Sequence, residues 1–131
     1  FSLGIIASSA SAADPNYIIS NSEDWKDVYS VMLYGSLTGK TTQFLVSARH
    51  ATLMTGQLAR GSHIWAITST TVPQVAAYRA ILISKGFTAE EFFYENINLE
   101  FAELSEVTKF VVLDDSYGYN AVAAAPYAVC R

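Results

Sequence analysis

At 131 residues the chain is sized for one domain. It is 51% hydrophobic and only 15% charged, against about 25% charged in an ordinary soluble domain, so it can bury a core and still has apolar surface to cover. A net charge of −4, with eight scattered Lys and Arg, excludes a basic stripe for nucleic acid, and no apolar run reaches the ~20 residues of a bilayer-crossing helix.

The chain opens on Phe1-Ser2-Leu3-Gly4-Ile5-Ile6-Ala7, and Ala10-Ser11-Ala12 has the form of a signal-peptidase site, which points to export. This stretch reads as the tail of a secretory signal or as an apolar assembly arm. In the second case Phe1, Leu3, Ile5 and Ile6 are candidate contacts with a neighbouring subunit. Pro15 marks entry into the domain, giving an arm over 1–16 and a single domain over 17–131. Residues 17–20 predict a first strand, with Ser22 as N-cap of the following helix and Glu23 and Asp24 in its first turn. Trp25, Val28, Tyr29, Met32, Leu33 and Ser36 then fall on one helical face, the clearest periodicity in the chain, until Gly35 and Gly39 break it.

Residues 43–48 predict a short buried strand and 50–58 a short helix. Residues 63–68 read as an apolar strand of the kind buried in a parallel sheet. Thr71 is placed to cap the next helix, with Pro73 in its first turn, Val75, Tyr78, Ile81 and Leu82 inward, and Lys85 and Gly86 at its end. A strand over 92–97, a helix over 99–107 with Leu99, Ala102 and Leu104 inward, and a strand over 110–113 follow. An Ala-rich helix over 119–129, kinked by Pro126, completes the series. Alternation of this kind predicts an α/β three-layer sandwich with a mostly parallel sheet.

The last strand and helix repeat the first. Aligned without gaps, residues 17–37 and 110–130 share an apolar strand, a polar turn (Asn21-Ser22 against Asp114-Asp115) and an apolar helix, with Tyr34 matching Tyr127. The similarity is one of pattern, and it reads as one repeat unit plus the start of a second.

Chemistry-bearing motifs are sparse. Gly35-Ser36-Leu37-Thr38-Gly39-Lys40-Thr41 approaches a phosphate-binding loop but is one residue short and follows a helical pattern, so it reads as a glycine-ended helix with a solvated Lys. Asp114 and Asp115, at a predicted strand end, suit a cation or, more simply, a helix cap. His50 and His63 have no partner at metal-ligand spacing, and Glu90, Glu91 and Glu95 read as a solvated acidic face. The lone Cys130 is either a small buried apolar side chain or an intermolecular bridge. No catalytic, cofactor-binding or metal-ligating residue is assigned, and no cofactor is expected. No N-x-[ST] sequon occurs.

Tyr119-Asn120-Ala121-Val122-Ala123-Ala124-Ala125-Pro126-Tyr127-Ala128 resembles the most recognisable stretch of type 2 cell-wall-binding repeats, "D-A-L-A-A-A-P-L-A", with Asn120 in place of the family's Asp. Trp25-Lys26-Asp27-Val28-Tyr29-Ser30-Val31 looks like a degenerate copy that keeps the Asp. Gln43-Phe44-Leu45-Val46 is similar to the family's next strand, and His63-Ile64-Trp65-Ala66-Ile67-Thr68 with Pro73-Gln74-Val75 to its third strand and helix, although Ser69-Thr70 stands where the family has a glycine pair. The resemblance implies a parallel α/β repeat, export and a cell-surface location without enzymatic activity.

Together with the apolar arm and low charge, this implies a secreted structural protein, in style like an archaeal surface-layer (S-layer) or sheath subunit. Its expected partners are copies of itself, with Phe1, Leu3, Ile5, Ile6 and Cys130 as assembly candidates. The alternative is a binding module for an envelope polymer or glycan, with Trp25, Tyr117 and Tyr119 as sugar contacts. A small nucleotide- or metal-dependent enzyme built on Lys40, Asp114 and Asp115 is the third reading.

Overall fold

The computed structural model describes residues 13–109 and 111–129. Strands β1 (Tyr17–Asn21), β2 (Thr41–Phe44), β3 (His63–Ser69) and β4 (Thr88–Tyr94) form an all-parallel sheet in the order β2-β1-β3-β4. β1 and β3 are central because they are apolar on both faces: Ile18, Ile19, Ile64, Ala66 and Ile67 are all buried. The helices are α1 (Trp25–Thr38), α2 (Ala48–Thr55), α3 (Tyr78–Ser84), α4 (Ile97–Leu104) and α5 (Gly118–Val129). On one face of the sheet Ile19 and Ile64 pack with Met54 of α2 and with Tyr78 and Leu82 of α3. On the other, Ile18 and Ile67 pack with Val31 of α1 and with Ile97 and Phe101 of α4. The molecule is therefore the α/β three-layer sandwich that the alternation predicts.

The topology obeys one crossover hand. The step from β1 to β2 runs one way across the sheet beside α1, and the steps from β2 to β3 and β3 to β4 run the other way beside α2 and α3. Opposite directions on opposite faces are what right-handed crossovers require.

α1 corrects two expectations. Its N-cap is Asp24, whose carboxylate accepts from the Lys26 amide at 2.9 Å, while Ser22 lies two residues before the cap and is buried. Its apolar stripe looks away from the sheet: the buried positions are Asp27, Ser30, Val31 and Gly35, whereas Trp25 is exposed and Val28, Tyr29 and Met32 are half-buried. The physical reason is close approach. A Cβ on Gly35 would collide with the Thr42 side chain and stand 2.9 Å from the Lys40 carbonyl oxygen, so small residues let α1 lie directly on β2. The outward stripe faces α5, where Gly118 and Val122 line the same groove as Trp25, Val28, Tyr29 and Met32. α1 ends as its glycines predict, with Gly39 left-handed (φ 70°) and its amide bonded to the Gly35 carbonyl.

Other boundaries move. β2 begins at Thr41, ahead of the expected 43–48, and it is a largely exposed edge strand. α2 starts at Ala48, inside that expected strand, because Ser47 caps it by accepting from the His50 amide. Thr71 and Pro73 do not open a helix. Residues 70–77 are irregular, and α3 begins only at Tyr78, behind a left-handed Ala77 (φ 53°). β4 starts at Thr88 and stops at Tyr94, and α4 turns Ile97 and Phe101 inward while Leu99 and Leu104 are exposed. Residues 111–113 are not a strand. The arm residues Phe1, Leu3, Ile5 and Ile6, together with Phe110 and Cys130, lie outside the described residues. Residues 14–16 already belong to the domain. Pro15 is buried, and Asn16 and His63 bond in both directions, amide to carbonyl and amide to side chain, at 2.8 Å each.

Candidate functional site

In an open parallel sheet a ligand crevice forms at the carboxyl ends of the strands where the strand order reverses, here between β1 and β3. In this molecule the chain itself occupies that place. Asn21, at the end of β1, donates through Nδ2 to the Val75 carbonyl (2.8 Å) and to Thr68 Oγ1 (3.1 Å), and its Oδ1 accepts from the Val75 amide (2.9 Å). The Glu23 amide donates to the Val72 carbonyl at 2.8 Å, and Ser69 Oγ accepts from the Val72 amide at 3.3 Å. Irregular segment 70–77 is thus stapled over the reversal point. Asp27 lies buried beside it, accepting from Ser22 Oγ at 2.6 Å. Burial pushes the Asp27 carboxyl above the usual range, and the Ser22 hydroxyl opposes that shift only in part.

The solvent-facing site lies where α1 and α5 begin. Gly118 opens α5 with no side chain between its backbone and the Trp25 ring; a Cβ there would sit 3.6 Å from the indole. Tyr117 and Tyr119 flank this glycine with their rings stacked, centroids 5.6 Å apart and planes 9° apart. Trp25 thus packs on the glycine between the stacked Tyr117 and Tyr119, and all three rings are exposed, an aromatic ledge. Charged groups border it. Lys26 Nζ reaches Asp115 at 3.2 Å and Asp24 at 3.7 Å, and the bond to Asp115, with the two carboxylates' field, holds its ammonium form more firmly than usual. Asp114 accepts from both the amide (2.9 Å) and the hydroxyl (2.6 Å) of Ser116, bonds that keep its carboxyl below the usual range. Flat rings with rim carboxylates suit a ligand with apolar faces and hydroxyl edges.

The third set does not converge. Lys40 follows the C-terminal end of α1 and pairs with Asp14 at 3.0 Å, while Asp115 pairs with Lys26 in the first turn of the same helix. A helix of this length spans about 21 Å, so no single phosphate or cation contacts both ends. Among the described residues no group of three His, Cys, Asp or Glu could hold a metal ion. The acidic patch is more engaged than a solvated face. Glu91 accepts from Thr68 Oγ1 (2.6 Å) and the Arg79 amide (3.2 Å), and Glu90 lies 2.9 Å from His63 Nε2. Sequence reasoning missed Asn21 as a staple, because its partner Val75 is distant in the chain; its only local signal is a side-chain amide ending an apolar strand.

No family model matches the chain, and comparison with curated proteins and with solved structures found no match.

Proposed function

We infer that the chain is a secreted structural protein that assembles with copies of itself into a cell-surface coat, sheath or filament. One observation carries the reading. Val112 is 92% exposed, whereas Ile19, its counterpart in the first unit, is 0% exposed in the centre of the sheet. Both follow an apolar residue and lead through a polar turn into a helix, yet residues 111–113 lie outside any sheet. Val111 and Leu113 are exposed beside Val112, as are Phe44 on β2, Phe93 on β4 and Val122 on α5. Apolar surface of this extent favours association, at about 25 cal/mol per Å² buried before association costs are subtracted. The signal-like segment at 1–13 and the resemblance to cell-wall-binding repeats support export to the surface. Negative-stain electron microscopy of the protein without reductant tests the reading: tubes, sheets or filaments are expected, and a dispersed monomer at high concentration overturns it.

The aromatic ledge favours a second reading, a module that binds an envelope polymer or glycan. Stacked Tyr117 and Tyr119, flanking the glycine that packs on Trp25, offer the flat surface a sugar ring packs on. On that reading W25A lowers binding to isolated envelope material at least tenfold and leaves assembly unchanged.

A further inference from the structure

We propose that residues 111–113 of one copy add as a fifth parallel strand to the open edge of β4 in a second copy, linking chains head to tail. The inference rests on the self-assembly reading and names its contact.

The acceptor is an unpaired strand edge. β4 pairs only with β3, and the bonds at its two ends, Thr88 amide to Ser62 carbonyl and Thr70 amide to Tyr94 carbonyl, show that its even-numbered residues bond inward. Ala89, Glu91 and Phe93 therefore aim their amides and carbonyls outward. Arg79 Nε already donates to the Ala89 carbonyl at 2.9 Å, which blocks the start of the edge. Among the described residues nothing bonds the outward backbone groups of Glu91 and Phe93. Beside them runs an open groove between α3 and β4, where Phe93 is 60% exposed and Ile83 47% exposed. β2, the other edge, is shorter and turns its Thr42 into α1.

The donor fits this edge in one register. With Val112 beside Phe93, Val111 lies beside Phe92, Leu113 beside Tyr94 and Lys109 beside Glu90. The Val111 amide then meets the Glu91 carbonyl, and its carbonyl meets the Phe93 amide. The Glu91 amide takes the Lys109 carbonyl, and the Leu113 amide reaches the Phe93 carbonyl. Val112 shares the α3 side with Phe93, while Val111 and Leu113 join Phe92 and Tyr94 on the opposite side. Lys109 and Glu90 bring opposite charges together.

Topology selects a second copy as donor. A right-handed crossover from β4 to a strand beyond it needs its helix on the α3 face of the sheet. α4 lies on the α1 face, with Ile97 and Phe101 against Val31. The chain's own segment would reach its own β4 edge only by a left-handed crossover. A contact between two different surfaces repeats without closing on itself in a dimer, so it yields rings or filaments.

The test uses the full chain and two single variants, V112D on the donor and F93D on the acceptor. Both positions are exposed, so folding, checked by circular dichroism, is expected to survive; V112S and F93S replace any variant that does not fold. By sedimentation, the unsubstituted protein is expected to polymerise, each variant alone to stay monomeric, and an equimolar mixture to stop at dimers. The V112D chain keeps its β4 edge and the F93D chain keeps its donor segment, so one contact forms and none can follow. Polymers from either variant alone overturn the proposal and leave the coat reading standing, because another surface then carries assembly. A mixture that stays monomeric or grows past dimers also overturns it. An unsubstituted protein that never polymerises overturns both.

Discussion

Asp27 is a carboxylate held where its charge is disfavoured, with one hydroxyl as partner. Its folded-state pKa is raised above the unfolded value, so its contribution to stability is full below about pH 4 and is lost as pH rises through the folded-state value. D27N keeps an acceptor for Ser22 and removes the charge. The melting temperature of D27N at pH 7 is therefore expected to exceed that of the unsubstituted protein, and the gap to close as pH falls below the ordinary aspartate range. A lower melting temperature at pH 7 would show that the ionised form is the one the fold prefers. Gly35 poses the opposite problem, a missing atom. G35A gains about 1 kcal/mol in helix propensity but drives a Cβ to 2.9 Å from the Lys40 carbonyl oxygen, where backbone on both sides resists movement. Overpacking of this kind costs about 1–3 kcal/mol. A lower urea midpoint is expected, and a raised one would mean that α1 can lift from β2 freely.

Among the elements, segment 70–77 is the clearest case of structure imposed from a distance. Thr71 and Pro73 have the chemistry of a helix start, yet Asn21 takes hold of Val75 and draws the segment across the ends of β1 and β3. N21A removes three hydrogen bonds and leaves the Val75 amide and carbonyl without them, a loss of about 2–4 kcal/mol. Hydrogen exchange at the Val75 amide is expected to accelerate far more than at Ile64 or Ile67; uniform acceleration would indicate global destabilisation instead. The same scale explains which strands were legible. β1 and β3 are continuous apolar runs, and buried parallel strands have no other way to read. β4 mixes Glu90 and Glu91 with Phe92 and Phe93, so its strongest apolar signal sits in its second half and shifts the predicted start. α1 displays its period plainly, but period alone does not say which face meets the sheet. Its most apolar face serves α5, and its small-residue face serves β2.

For the whole molecule, the pairing of Asn16 with His63 and the burial of Pro15 place the start of the packed domain before β1. Deleting residues 1–12 is therefore expected to leave the melting temperature within a few degrees and to abolish polymers if Phe1, Leu3, Ile5 and Ile6 are assembly contacts. Normal polymers from the deleted protein would assign assembly to the described domain alone. Of the pattern shared by residues 17–37 and 110–130, only the helical half recurs at this scale. α5 begins at Gly118, which aligns with Trp25, the first residue of α1, so the helical halves of both units start in register. The strand halves part company: the first unit's is at the centre of the sheet, whereas Val111, Val112 and Leu113 of the second are exposed.

The sequence by itself determined the class of fold and the order of the elements from β1 to α4, because apolar periodicity and turn chemistry are local. Tertiary structure alone decided which face of α1 meets the sheet, that Asn21 staples segment 70–77, and that Gly118, between Tyr117 and Tyr119, packs on Trp25. Each of these depends on contacts between residues far apart in the chain, whose energies no local pattern encodes. Residues 111–113 show the division most plainly. Their apolar character is written in the sequence, but being a strand requires a neighbouring strand's amides and carbonyls, and only the folded molecule shows that none of its described strands provides them.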